Sequence, residues 1–238
     1  KIFEDVARGF ADLGREAHVV TFERLYRGSK LSKAAQHREF GGEKPQKGDP
    51  SIMEFNKAVA LLNYMDAQGI ERADLAPHSL ETQSALYAIA LAPERFGNAV
   101  FVTPAGLSEE YPIDNLVPRF ARQIVPEITR NLKDADSRRA TLRHLNSGNA
   151  TTVFHPMRTL WYERRTIQRT NLSEIFDRCN TDPDYPNVVV LAGTQDSVFG
   201  PEQLGVDSTP YDGGHNDFIA GRLTGQIDQT LTQIAQAA

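Results

Sequence analysis

The stretch ADLAPHSLETQSALYAIALA, residues 73–92, sets the fold of this 238-residue chain. Ala73 to His78 predict a short strand, and Ser79 to Ala92 predict a helix. A serine at a sharp strand-to-helix turn projects its hydroxyl above the carboxyl edge of a sheet. The backbone N–H of the following residue, Leu80, points to the same region, where the helix dipole adds positive potential. Ser79 and its neighbours are therefore the first candidates for a functional site.

Helical and strand patterns alternate on both sides of this stretch. The clearest strand is the continuous apolar run Val188 to Ala192, which fits a strand buried on both faces of a parallel sheet. Ser51 and Glu54 form a capping-box pattern at the start of one helix. The other predicted helices cover residues 2–13, 51–69 and 220–235, and the other predicted strands cover residues 18–22, 98–103 and 206–211. This alternation predicts an α/β fold with a mostly parallel sheet flanked by helices.

Residues 108–178 interrupt the alternation. They are helical in pattern and rich in arginine, with pairs at Arg138-Arg139 and Arg164-Arg165. We expect this stretch to form an inserted helical lid. The core domain would then comprise residues 1–107 and 179–238.

Composition argues against several classes of protein. With 40% apolar residues and a net charge of −5, the chain lacks the basic balance of a nucleic-acid-binding protein. No apolar run reaches the length of a membrane span. The single cysteine, Cys179, allows no internal disulfide, which favours a reducing, cytoplasmic compartment. No residue spacing suggests zinc and no glycine-rich loop suggests a nucleotide, so we expect neither a metal nor a cofactor.

Two further candidate residues follow the last two predicted strands. Asp196 lies just after a buried strand, in VVVLAGTQDSVFGPEQL (residues 188–204), and His215 lies on the glycine-rich turn YDGGHNDF (residues 211–218). A serine hydroxyl is a poor nucleophile unless a neighbouring base takes its proton. A histidine and a carboxylate at neighbouring strand ends could supply that base and hold it in place.

Each candidate also has a simpler interpretation. Ser79 is a favoured residue type for a helix N-cap, and Asp196 is a common turn residue. Asp207 or Asp212 could stand in for Asp196 as the acidic residue. His78, beside the serine, is interpreted as a packing or structural residue.

Taken together, these segments resemble the α/β-hydrolase family. HSLETQSALYAIALAPERFGNAVFVTPAG, residues 78–106, is similar to the family's nucleophile turn, helix and following strand. Residues 188–204 resemble its acid-bearing strand and loop, and residues 211–218 resemble its histidine turn. The order Ser, Asp, His along the chain is also the order of that family.

The resemblance implies a role for each candidate. Ser79 would be the nucleophile, His215 the general base and then acid, and Asp196 the group that orients the imidazole. The Leu80 N–H would be one oxyanion donor. The leading hypothesis is a cofactor-free serine hydrolase that acts on a small-molecule acyl substrate. An esterase is the default, and C–C bond hydrolase, lactonase and perhydrolase chemistry would use the same three residues.

The chain departs from the family pattern in two places. Pro77 and Glu81 occupy the glycine positions of the family's G-x-S-x-G turn, and we expect them to crowd it. The first helix resembles the one that follows the family's oxyanion loop, so we expect the strands that precede this loop in the family to be missing. A companion segment or chain would then complete the sheet. The second hypothesis is therefore a catalytically degenerate or truncated member that binds a ligand or partner.

Overall fold

The computed structural model describes residues 4–20, 52–107, 172–215, 217–218 and 221–237, together with scattered residues between 118 and 167. Within these residues the helices are α1 (Glu4–Asp12), α2 (Ile52–Gln68), α3 (Glu81–Leu91), α4 (Ser173–Thr181), α5 (Pro201–Leu204) and α6 (Thr224–Ala237). The strands are β1 (Ala73–Leu75), β2 (Phe96–Val102), β3 (Asn187–Gly193) and β4 (Thr209–Tyr211), and a 3₁₀ turn at Pro93–Arg95 leads into β2.

The strands form one sheet in the order β1-β2-β3-β4, and every pair is parallel. Ala99 of β2 lies opposite Val188 of β3, and Leu191 of β3 lies opposite Thr209 of β4. The helices between the strands make each connection a crossover, as parallel pairing requires. The predicted α/β fold with a parallel sheet flanked by helices is confirmed.

Both faces of the sheet are buried. In β2, Ala99 and Phe101 belong to an apolar cluster with residues of α2, α3 and α4. The alternate residues Val100 and Val102 belong to a second cluster with residues of α1 and α6. Because side chains of a strand alternate between faces, a strand covered on both sides must be apolar at every position. This explains the unbroken apolar runs in β2 and β3.

Helix α3 is buried nearly all round. Its residues from Thr82 to Ile89 are all buried. A helix without a solvent face has little need for amphipathic spacing, and small residues such as Ala85 and Ala88 let α2 and the sheet approach it closely. The helix that follows Ser79 is thereby packed closely against its neighbours in the described part of the chain.

The first strand is shorter than predicted. β1 ends at Leu75, and only an isolated bridge between His78 and Val102 continues its pairing. Pro77 has no N–H to donate, so the ladder cannot run through it. Its carbonyl still accepts from the Val102 N–H at 3.0 Å, which keeps the chain beside β2.

The last strand and the last helix begin later than predicted. β4 starts at Thr209 because Gly205, with φ of 66°, closes α5 and the chain needs several residues to return to the sheet. α6 starts at Thr224 because Gly221, with φ of 73°, cannot continue a right-handed helix.

The strand predicted at residues 18–22 is not found in its described part. Residues 18–20 have no regular secondary structure, and residues 21–22 lie outside the described residues. A strand needs a neighbour to share its hydrogen bonds, and no described strand pairs with this segment. The His18 Nδ1 atom instead lies 2.8 Å from the Tyr64 hydroxyl of α2.

Helix α4 crosses the predicted boundary between lid and core at residue 178. Its Phe176 and Cys179 are both buried in the core cluster, so the whole helix packs with the core. The described residues between 118 and 167 are helical, in keeping with the helical pattern of that stretch. Most of residues 108–171 lie outside the described part of the chain, so the lid stays a prediction.

No helix among the described residues is long and apolar enough to cross a membrane.

Candidate active site

Ser79 lies on a tight turn between β1 and α3. Its φ is 56°, in the left-handed region that non-glycine residues rarely adopt. The turn is clamped to β2 and the loop after it, because the Ser79 N–H donates to the Val102 carbonyl at 3.0 Å and the Ser79 carbonyl accepts from the Ala105 N–H at 3.2 Å. Such a conformation costs about 1–3 kcal/mol and persists where the surroundings fix it. It is the backbone geometry expected of a strained strand-to-helix turn that presents a side chain.

The side chain of Ser79 does not cap the helix. The N-cap position of α3 is Leu80, and no side-chain hydrogen bond caps it. The Ser79 Oγ atom lies 3.1 Å from the Nε2 atom of His215. The structure therefore disfavours the simpler interpretation of Ser79 as an N-cap serine.

His215 links Ser79 to a buried carboxylate. The Nδ1 atom of His215 lies 2.8 Å from Asp196 Oδ2, and both side chains are nearly inaccessible to solvent. The second oxygen, Asp196 Oδ1, accepts from the N–H groups of Val198 at 2.7 Å and Phe199 at 3.0 Å. Asp196 thus shapes its own turn, as the simpler interpretation expects, and also contacts the imidazole.

The two alternative acidic residues do not take this place. The exposed Asp212 carboxylate accepts from the Gln195 side-chain amide at 2.7 Å. Asp207 lies in the exposed segment before β4. The structure brings Ser79, His215 and Asp196 together, and the carboxylate in contact with His215 is that of Asp196.

Asp196 is held in its charged form. Burial by itself raises the pKa of this carboxyl, but the His215 charge and hydrogen bonds from His215, Phe199 and Val198 outweigh burial and lower it. An ionised carboxylate accepts only, so it holds the proton of His215 on Nδ1. The Nε2 atom of neutral His215 is then free of a proton and accepts from the Ser79 hydroxyl.

The loops that carry Asp196 and His215 are joined to each other. The Thr194 N–H donates to the Tyr211 carbonyl and the Gln195 N–H to the Gly213 carbonyl, each at 2.9 Å. A Cβ atom at Gly193 would lie only 2.6 Å from the Gly213 carbonyl oxygen, so this close approach requires glycine. The two loops are therefore packed directly against each other.

Asp217 braces the histidine turn and was missed from the sequence. Its Oδ2 atom accepts from the Gly214 N–H and its Oδ1 atom from Arg222 Nη1, each at 2.8 Å. The Tyr211 hydroxyl donates to the Gly214 carbonyl at 3.0 Å on the same turn. An aspartate within a glycine-rich turn is a known turn-forming signal and could have pointed to this residue.

Leu80 supplies a backbone donor beside Ser79. It has helical angles, φ −63° and ψ −28°, and its N–H lies at the start of α3, where backbone donors have no partner within the helix. The N–H groups of Glu81 and Thr82 donate to the carbonyls of His78 and Ser79, but no such bond occupies the Leu80 N–H within the described residues. Leu80 is therefore available to an anion near Ser79.

Of the two residues expected to crowd the turn, Pro77 and Glu81, the glutamate has its carboxylate engaged by another helix. The Glu81 side chain is about half exposed (47%), and its carboxylate turns away from the serine to accept from Lys57 Nζ at 2.9 Å. Lys57 Nζ also donates to the buried Glu54 Oε2 at 3.0 Å, and the Ser84 hydroxyl donates to the same oxygen at 2.6 Å. We call Glu54, Lys57, Glu81 and Ser84 the α2–α3 ion cluster. Position 81 therefore accepts a glutamate because α2 offers it a cation.

Burial and charge oppose each other in the α2–α3 ion cluster. Burial raises the pKa of Glu54, and the neighbouring Glu81 raises it further, against Lys57 and the hydrogen bonds. Burial disfavours the ammonium of Lys57, but Glu54 and Glu81 outweigh that effect and raise its pKa. Lys57 is thus a charged group between two carboxylates.

Among the described residues, no group of three or more His, Cys, Asp or Glu side chains is placed to hold a metal ion.

Comparison with known proteins gives fold-level similarities only. No protein-family model and no curated protein match the chain. A meta-cleavage product hydrolase from Pseudomonas fluorescens is similar at 19% identity and a TM-score of 0.49, over 82% of this chain and 73% of that one. A serine hydrolase from Cycloclasticus zankles gives 17% and 0.45, over 80% and 72%. An alpha/beta hydrolase fold protein from Chitinophaga pinensis gives 16% and 0.44, over 79% and 73%. Similarities this low do not carry those proteins' activities over to this chain.

Proposed function

We propose that this chain is a serine hydrolase of the α/β-hydrolase type that cleaves a carboxylic ester or a similar acyl bond. The observation that carries the proposal is the unbroken hydrogen-bonded chain from Ser79 Oγ through His215 to Asp196 Oδ2, at 3.1 and 2.8 Å. Those three side chains follow β1, β3 and β4 at one edge of the sheet, and Ser79 is presented by a left-handed turn. This is the arrangement that nucleophilic acyl transfer needs.

The acylation step follows from the tautomer that Asp196 holds. His215 Nε2 takes the Ser79 hydroxyl proton while Oγ bonds to the acyl carbon, whose carbonyl oxygen becomes an oxyanion. The Leu80 N–H and the N-terminal dipole of α3 stabilise that negative charge. His215 then gives its proton to the leaving alcohol oxygen as the bond between that oxygen and the acyl carbon breaks.

Deacylation uses the same groups with water. His215 takes a proton from water, the resulting hydroxide attacks the acyl carbon, and the proton returns to Ser79 Oγ as the acid is released. Asp196 keeps its negative charge throughout and stabilises the imidazolium in both steps. The chemistry of these steps needs no cofactor.

Covalent labelling tests the proposal directly. The chain is incubated with a fluorophosphonate probe, digested and mapped by mass spectrometry. We expect fluoride displacement and a phosphonyl adduct on Ser79, absent from Ser79→Ala. Hydrolysis of p-nitrophenyl acetate, butyrate and octanoate then measures turnover and acyl-chain preference.

A matched serine controls for non-specific labelling. Ser197 lies beside Asp196, and its hydroxyl donates to the Gln123 side-chain oxygen at 2.9 Å rather than to an imidazole. Ser197→Ala should label at Ser79 like the original chain. No adduct on Ser79 in folded protein would reject the enzyme and leave the second hypothesis, a hydrolase-like fold that binds a ligand or partner.

A further inference from the structure

His78, the residue before Ser79, contacts the main chain of the proposed catalytic histidine, His215. Asp196 contacts the imidazole of the same residue. The His78 Nε2 atom lies 2.7 Å from the His215 carbonyl oxygen. A carbonyl oxygen only accepts, so His78 Nε2 carries a proton and donates it. The position of the His215 backbone is therefore tied to the peptide that precedes the serine.

Ring packing reinforces this contact. The His78 ring stacks on Phe218, with centroids 5.3 Å apart and planes at 19°. It also lies against the His215 ring, with centroids 4.9 Å apart and planes at 46°. The orientation of the His78 imidazole is thus fixed on more than one side, and its proton is directed at the His215 carbonyl.

The environment keeps His78 neutral. Desolvation of this partly buried ring, followed by the nearby His215 charge, lowers the pKa of His78 to about 3. A neutral neighbour does not repel the imidazolium that forms on His215 during acyl transfer, whereas a cation about 5 Å away would. Neutral His78 therefore adds a donor beside His215 without adding charge.

The backbone of His78 is fixed as firmly as its ring. His78 pairs with Val102 of β2, and the Ser79 N–H donates to the Val102 carbonyl. One rigid segment thus carries both the serine and the donor that holds the His215 main chain. The distance between Ser79 Oγ and His215 Nε2 is set by this segment as well as by the Asp196 loop.

We propose that His78 is a positioning residue, which holds the His215 backbone so that the imidazole stays in line with the Ser79 hydroxyl. The proposal rests on the proposed serine-hydrolase function. It assigns His78 no proton transfer, so a neutral side chain that donates from the same place should replace it. A displacement of about 1 Å at such a site can cost on the order of 100-fold in rate.

Two substitutions separate the donor from the ring. In His78→Gln the side-chain amide reaches the place of Nε2 and keeps the donor, and in His78→Phe the ring stays and the donor is lost. We expect His78→Phe to lower the rate constant for fluorophosphonate labelling of Ser79 by about 10–100-fold. His78→Gln should stay within about threefold of the original chain. The control is Leu223→Ala, in the apolar cluster that contains Phe218, which should lower the melting temperature and leave the labelling rate unchanged.

Proton NMR gives a readout that does not need activity. The Nδ1–H of His215, bonded to Asp196, should give a low-field resonance in the original chain and in His78→Gln, with faster solvent exchange in His78→Phe. The positioning role would be overturned if both variants matched the original chain in labelling rate and in exchange. It would also be overturned if His78→Phe and His78→Gln lost labelling rate to the same extent. If the original chain fails to label while exchange differs as expected, the hydrolase function fails and the positioning role stands.

Discussion

At the scale of single residues, the site depends on one strained turn and on the two hydrogen bonds that His215 makes with Ser79 and Asp196. Ser79 accepts a left-handed backbone because hydrogen bonds to Val102 and Ala105 hold both sides of its peptide. The strain of about 1–3 kcal/mol is thereby offset locally, and the hydroxyl faces His215 rather than the helix. If the turn relaxed to ordinary helical angles, the Ser79 hydroxyl would move away from His215 Nε2.

Asp196→Asn tests the tautomer argument. The asparagine oxygen can still accept from the Val198 and Phe199 N–H groups, so the turn should form. Its amide would donate to His215 Nδ1, forcing the imidazole proton onto Nε2, which then cannot accept from Ser79. We expect ester turnover to fall by about 10⁴-fold, measured as kcat. A loss below tenfold with an unchanged fold would contradict this role of Asp196.

Asp196 also links stability to pH. Its pKa is lowered in the folded protein, so its contribution is present above the unfolded value near 3.8 and is lost as pH falls through the lower folded value. Asp196→Asn lacks this titration. Its free energy of unfolding, from urea titrations, should decline less than that of the original chain as pH falls from 5 to 3.

The sequence alone identified the triad candidates and favoured Asp196 as the acidic residue, but it left Asp207 and Asp212 as alternatives. Ser79, Asp196 and His215 each follow a predicted strand, and parallel strands end at one edge. Choosing Asp196 over Asp212 required the register of β3 against β4, which places the Asp196 loop beside Gly213. That register depends on packing across the sheet and is not encoded within either segment.

At the scale of elements, α2 and α3 are joined by the α2–α3 ion cluster. The predicted capping box assigned Glu54 to the start of α2, with Ser51 outside the described residues. The capping box therefore stays a prediction, and the structure adds that Glu54 Oε2 accepts from Lys57 and Ser84 of the cluster. A short pattern cannot show that a second helix will cover the carboxylate, so the local interpretation was incomplete.

Lys57→Met tests this cluster. Removing the cation leaves buried Glu54 without its charge partner, so we expect the free energy of unfolding to fall by about 3–5 kcal/mol at pH 7. The control Arg178→Met breaks an exposed pair with Glu174 and should cost less than about 1 kcal/mol. Equal losses of unfolding free energy in the two variants would show that the buried cluster stabilises the fold no more than an exposed ion pair does.

The raised pKa of Glu54 sets the direction in which the stability of Lys57→Met should change with pH. Burial raises the folded pKa of Glu54, so the protonated form is favoured in the fold. Stability should be greatest below the unfolded value near 4.5 and fall as pH rises through the folded pKa. Adding Glu54→Gln should remove this decline, which urea unfolding at several pH values would measure.

At the scale of the whole molecule, the α/β layering was predictable because it depends on local patterns. Apolar runs at residues 99–102 and 188–192 match strands covered by helices on both faces. The helix after Ser79 and the final helix were placed within a few residues. The strand at residues 18–22 was not found in its described part, since β propensity without a pairing partner does not make a strand.

Cys179 reports on the integrity of this core. It is the only cysteine, it is buried, and burial raises the pKa of its thiol to about 12. The thiolate is the form that attacks thiol reagents, so reaction in native buffer should be slow. Across a urea titration, the rate of modification should follow the loss of circular dichroism signal. Rapid modification of native protein would place α4 outside the cooperative core.

The wide separation of the site residues along the chain has a consequence for how the protein comes into being. Ser79 and His215 are 136 positions apart, and the β4 strand that leads to His215 must join the sheet before they meet. Contacts between such distant positions form late, because the closure entropy of the intervening chain opposes them. In a nascent chain on the ribosome, Ser79 therefore stays inert at least until the segment that carries β4 and His215 has been synthesised. During refolding, the time at which Ser79 becomes reactive would mark the pairing of β4 with the sheet and not an earlier collapse of part of the chain.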